Sequence, residues 1–88
     1  MIELSEYEEM YLKRMFEFFD SKPDAILKTT QLAELMGVSA ASVTEMIQRL
    51  ASRDLVTHIP YKGSRLTPAG FHQAARVKRR ECLLEILL

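Results

Sequence analysis

Several things are scarce in this sequence, and each shortage narrows what the protein can be. It has one cysteine, so no internal disulfide can form and a reducing compartment is expected. No apolar run approaches the roughly 20 residues that a membrane-spanning helix needs. The opening Met1-Ile2-Glu3-Leu4-Ser5-Glu6 is acidic and lacks the basic start of a secretory signal. Together these absences predict a cytoplasmic protein with no membrane contact. Enzyme signatures are missing as well. Neither histidine is spaced with a serine or cysteine as a nucleophile–base pair, and there is no phosphate-binding glycine loop or zinc-type Cys/His cluster. No enzymatic activity is expected. At 88 residues the chain makes one small domain with a limited core, for which marginal stability or help from a partner is expected.

Net charge is absent too, with 12 basic and 12 acidic residues. Taken whole, that balance argues against a nucleic-acid partner. Its distribution reads differently. Residues 37–80 hold eight basic and two acidic side chains, a net +6, while residues 1–36 hold four basic and eight acidic, a net −4. A basic second half is the electrostatic footprint of a DNA-binding face, although a solvated charged face has the same composition.

What is present is a pattern centred on Leu32 to Leu50. Leu32, Ala33, Leu35 and Met36 recur at helical spacing, and Gly37 stands where a helix end wants positive φ. Ser39 is placed to cap a second helix, with Val43, Met46, Ile47 and Leu50 as its apolar stripe. Two short helices joined by Gly-Val-Ser, with Val38 at the corner, read as a helix-turn-helix, whose second helix enters the major groove. An ordinary helical hairpin is the plainer alternative. The second helix, 40–53, leaves Ala40, Ala41, Ser42, Thr44, Glu45, Gln48 and Arg49 outward or at its rim. Ser42 and Thr44 suit phosphate oxygens, Glu45 suits cytosine N4 and Gln48 suits adenine.

The flanks fit around this motif. Residues 4–20 form a scaffold helix, capped by Ser5 with Glu6, Glu8 and Glu9 in its first turns and Tyr7, Tyr11, Met15 and Phe18 as its main stripe. Residues 25–28 read as a small strand, and Thr29 or Thr30 caps a helix over 30–36. Residues 55–61 and 65–67 are strands around a Lys62-Gly63-Ser64 turn. This hairpin is a wing, with Lys62 and Arg65 at its tip for phosphates or the minor groove. His58 reads as a surface strand residue. Thr67-Pro68 starts a last helix running to residue 88, in which Gly70 allows close contact with the wing. The expected fold is mostly α with a small β-hairpin wing, a winged helix-turn-helix over 1–88. The apolar end Cys82-Leu83-Leu84-Glu85-Ile86-Leu87-Leu88 is a candidate dimer surface, or continues into a longer protein.

Glu9-Met10-Tyr11-Leu12, Val38-Ser39-Ala40-Ala41-Ser42-Val43-Thr44 and Leu66-Thr67-Pro68-Ala69-Gly70, in this order and spacing, resemble the N-terminal domain of the iron-dependent repressor family. The resemblance covers essentially the whole chain. It implies a dimeric repressor, activated by Fe(II) or Mn(II), on palindromic double-stranded DNA. It places Ser39, Ala41, Ser42, Thr44 and Glu45 where the family meets DNA, and the long helix at the start of the dimerisation region; Thr30, at the start of the preceding helix, is a further candidate for DNA contact. Met10 matches a metal ligand of the iron-type members. Lys13 replaces a carboxylate ligand of the manganese type. Glu81 and Glu85 occupy the positions of an ancillary His and Glu, so that site is altered. The family's other ligands follow this helix, which leaves the chain alone with half a site or none. Two rivals remain: a metal-independent winged-helix regulator, and a winged helix that binds protein rather than DNA.

Overall fold

The first helix shows how local sequence sets a boundary. Ser5 accepts a hydrogen bond from the Glu8 amide at 3.1 Å, and the Ser5 amide donates to the Glu8 carboxylate at 2.9 Å. This reciprocal capping box satisfies two amides that a helix start leaves without partners. It launches α1, Glu6–Ser21. A computed structural model describes residues 3–87, with side chains to residue 80. The elements that follow are α2 (Thr29–Met36), α3 (Ala40–Ser52), β1 (Val56–Ile59), β2 (Gly63–Leu66) and α4 (Pro68–Leu87). Helices dominate, and one antiparallel hairpin forms the wing.

Gly37 closes α2 with φ +68, and Ser39 caps α3 by accepting from the Ser42 amide. Thr67 caps α4: its hydroxyl accepts from the Gly70 amide at 2.9 Å and donates to the Asp54 carbonyl at 2.6 Å. Asp54 itself turns the chain out of α3 with φ +62. The core gathers Tyr11, Leu12, Met15 and Phe19 from α1, Leu32 from α2, and Val43, Met46, Ile47 and Leu50 from α3, with Leu55, Leu66 and Ala74 closing it. Helix α1 packs most extensively on α4. Phe71 of α4 meets Phe16 and Phe19 edge-on, with ring centroids 6.2 and 6.1 Å away. Burial pushes the Tyr11 phenol up to about 12, with Tyr7 acting in the same direction.

Some expectations are corrected. Neither Thr29 nor Thr30 caps α2. The helix starts one residue earlier, and the Gln31 side chain accepts from the Lys28 amide at 3.1 Å. Residues 25–28 form no strand of their own: only Leu27 pairs, with Ser64. The α1 stripe is centred on Phe19 rather than Phe18, and Tyr7 and Leu35 lie largely in solvent. The wing turn is Pro60-Tyr61-Lys62, not Lys62-Gly63-Ser64. Ile59 pairs with Gly63, so β2 begins earlier than its polarity suggests. The reason is tertiary. Ser64 exchanges two backbone hydrogen bonds with Leu27, at 2.9 and 3.0 Å, and a Cβ on Gly63 would overlap the Leu27 carbonyl. Ser64 is therefore buried.

Candidate nucleic-acid interface

The apolar stripe of α3 is buried, which turns Ala40, Ala41, Thr44, Glu45, Gln48 and Arg49 outward, with Ser42 half-buried at the rim. Ser39 is exposed at the N-terminus, its hydroxyl 3.1 Å from that of Ser42. The Thr44 hydroxyl donates to the Ala40 carbonyl at 3.0 Å, so its acceptor lone pairs remain open while its proton is used within the helix. A shallow concavity lies between α3 and α1, lined by Ser42, Glu45 and Arg49 on one side and Tyr7 on the other. Tyr7 was not expected at this face. Its place follows from the α1–α3 packing and not from its own spacing.

The second concentration of polar groups lies where the wing meets the start of α2. Thr30 and Lys62 border a groove of about 660 Å³ there, together with Lys28, Thr29, His58 and Tyr61. Tyr61 is fully exposed at the turn, with φ +65. Arg65 is not at the tip. It pairs with Thr57 in mid-strand, and its guanidinium donates to the Pro23 carbonyl at 3.2 Å.

The basic second half does not form one basic surface. Arg53 bonds the buried Glu8 carboxylate at 2.9 Å and the Glu3 carbonyl. Lys78 reaches Glu17 at 3.0 Å, and Arg80 reaches Glu9 at 2.7 Å. These three cations tie α3 and α4 to the acidic α1. Arg49, by contrast, has no ion pair or side-chain hydrogen bond among the described residues, and neither does Lys62. Arg49 thus stands open at the first polar concentration, and Lys62 at the second, where Lys28 also lines the groove.

The Arg53 clamp also sets an acid response. Burial pushes the Glu8 carboxyl up, but the Ser5 amide and the Arg53 guanidinium outweigh it and hold the group below its ordinary value of 4.5. Lys78 first, against some burial, does the same for Glu17. Both contributions are complete above that ordinary value and are lost as pH falls below it through the folded-state values. Thermal stability is expected to drop as pH falls below 4.5, and Glu8→Gln to flatten that drop. Melting temperatures across this range check it, and an unchanged slope in the variant would refute the assignment to Glu8.

The family relation is decided by comparison of sequences. Residues 3–64 match the model of the iron dependent repressor N-terminal DNA binding domain. The chain belongs to the iron-dependent repressor family. Over 97% of its length it is 32% identical to an HTH-type transcriptional regulator of Methanocaldococcus jannaschii, of which it covers 67%. Over 91% it is 30% identical to the regulator MntR of Listeria welshimeri, of which it covers 55%. It therefore spans little more than half the length of its MntR relatives. The fold is also that of two solved winged-helix regulators. A MarR family protein of Mycobacterium tuberculosis superposes with a TM-score of 0.71 at 20% identity, covering 96% of this chain and 60% of that one. MepR of Staphylococcus aureus gives 0.70 at 15%, covering 97% and 65%. The chain is a DNA-binding domain of a transcriptional regulator.

The metal positions implied by the family are less complete. Met10 is half exposed on α1, outside the core that a packing role would need. Among the described residues no three His, Cys, Asp or Glu side chains come together to hold a metal ion. The side chains of Glu81, Cys82 and Glu85 lie outside the described residues, as does the apolar end expected to form a dimer surface. One thioether is not a site for Fe(II) or Mn(II), which call for several nitrogen or oxygen donors. Among the described residues no helix is long and apolar enough to cross a membrane.

Proposed function

We propose that this domain binds double-stranded operator DNA through the exposed face of α3 and through the groove between α2 and the wing, as part of a cytoplasmic, non-enzymatic repressor. The observation that carries this reading is that Arg49 on the exposed face of α3 and Lys62 at the groove are open, while Arg53, Lys78 and Arg80 are tied to α1 and Arg65 to backbone. On this reading α3 enters the major groove, with Glu45, Gln48 and Arg49 toward base edges and Ser39, Ala40, Ala41, Ser42 and Thr44 against the backbone. Thr30 and Lys62 meet phosphates at the groove. Arg65 serves the fold, not the wing tip.

The family relation supports control by Fe(II) or Mn(II) and a homodimer on a palindromic operator. Met10 would supply one donor of such a site and hold the ion's edge on α1, and the remaining donors would lie outside the residues described. The ion's contribution would be to fix this domain relative to its partner. A metal-independent regulator is the second reading, and the two differ in whether metal changes the affinity for DNA.

Fluorescence anisotropy of a mixed-sequence duplex across a salt series, with and without Mn(II), tests these statements. Log affinity is expected to fall linearly with log salt. Lys62→Ala should lower that slope by about 0.9, the amount for one phosphate contact. Arg65→Ala should leave it unchanged. No binding at low salt by the folded chain would overturn the DNA reading in favour of a protein-interaction module. Tighter binding with Mn(II) supports metal control, and indifference supports the metal-independent reading of this chain.

A further inference from the structure

His58 was expected only as a surface strand residue, yet it faces a built groove. Lys28 and Thr29 come to that groove from the start of α2, and Tyr61 and Lys62 from the wing turn. Two otherwise independent elements hold their positions through the Leu27–Ser64 backbone bonds, at 2.9 and 3.0 Å. His58 lies directly across the ladder from Ser64, so it is fixed to the same junction. The charged and titratable groups facing the groove are Lys28 from α2 and His58, Tyr61 and Lys62 from the wing. No carboxylate lines it. At about 660 Å³ and open to solvent, it has room for a phosphodiester and the adjoining sugar.

We propose that this groove seats a backbone phosphate of DNA and that protonated His58 is one of the groups that hold it, so that DNA binding takes up a proton. The inference rests on the DNA-binding reading above and adds a residue and a dependence to it. Lys28 and Lys62 line the groove together with His58, and no carboxylate lines it to balance them. An arriving anion favours the charged form of an imidazole, a side chain that exchanges its proton in the physiological pH range. A phosphodiester stays anionic throughout, so the proton goes to the imidazole. The ring N–H then becomes a charge-assisted donor to a phosphate oxygen. Binding is therefore tighter at low pH and weakens as pH rises through the range in which the bound-state imidazole loses its proton.

The experiment is duplex binding by anisotropy at pH 5.5 and pH 8, each over a salt series, for the native chain, His58→Gln and His72→Gln. His72 is the second histidine and lies exposed on α4. Affinity of the native chain is expected to be about five- to tenfold higher at pH 5.5, and the salt slope steeper by up to about 0.9, one further phosphate neutralised. His58→Gln should lose both differences, and His72→Gln should keep both. DNA binding with the same pH difference in His58→Gln would overturn the inference and leave the DNA-binding reading standing. Binding by none of the three proteins at either pH would overturn both. Circular dichroism at both pH values keeps a folding defect from passing as a loss of contact.

Discussion

Arg49→Glu is expected to weaken duplex binding by about a hundredfold while leaving the melting temperature nearly unchanged. The side chain is exposed on α3 and has no partner among the described residues, so its removal leaves no buried group unsatisfied. Surface substitutions of this kind stay within about 0.5 kcal/mol of the native stability. At the DNA the same change removes an attraction and adds a repulsion. Each good arginine contact contributes about 1–3 kcal/mol, and together the two effects reach about 3 kcal/mol, or two decades in affinity. Arg53→Glu makes the contrasting case. It lies four residues on in the same basic segment, but it faces the buried Glu8 carboxylate at 2.9 Å. Reversing it destabilises the fold and reduces binding only through unfolding. Anisotropy and thermal melts on the two variants separate these outcomes. Native-like affinity in Arg49→Glu would refute the assignment of this α3 face to DNA.

Gly70→Ala is expected to destabilise the domain by about 3 kcal/mol, a fall in melting temperature of roughly 10–20 °C. A Cβ there would overlap the Leu55 carbonyl and come within 3.2 Å of the Leu66 side chain. The carbonyl cannot move aside cheaply, because it accepts from the Thr67 amide at 3.1 Å. Gly70 is helical, and in open solvent the same change would be mildly stabilising. The sign of the measured effect therefore decides between helix propensity and close backbone approach. A melting temperature equal to or above the native value would show that α4 does not pack on the entrance to the wing in this way. Gly37→Ala offers a control with a different cause: nothing lies within 4 Å of its Cβ position, and its cost arises only from the positive φ.

Much of this domain was legible in the sequence because much of it is local. Ser5 with Glu8, Ser39 with Ser42, and Thr67 with Gly70 are pairs three residues apart, and each satisfies amides that its own helix start leaves open. Gly37 ends α2 through its own backbone angle. Val43, Met46, Ile47 and Leu50 share one face of α3 by helical period alone. Once that face is turned inward, the outward set from Ala40 to Arg49 follows without any knowledge of the rest of the chain. The family motifs are legible for the same reason, since they consist of these local signals in a fixed order.

Charge was where the linear reading failed. A segment carrying +6 looked like one basic surface, but segment charge and surface charge are different quantities once distant residues pair. Arg53 bonds a glutamate 45 positions away, Lys78 one 61 positions away, and Arg65 a carbonyl 42 positions away. The first two exist because α1 carries Glu8 to Arg53 and Glu17 to Lys78 of α4, and the third because the segment before α2 lies against the wing. The groove at His58 has the same origin, since the Leu27–Ser64 bridge joins segments that no short-range pattern connects. The sequence by itself determined the helices, their caps, the inward stripe of α3 and the family. Only the tertiary structure decided which cations remain open for an anion outside the protein, because opposite charges drawn from distant parts of the chain neutralise one another first.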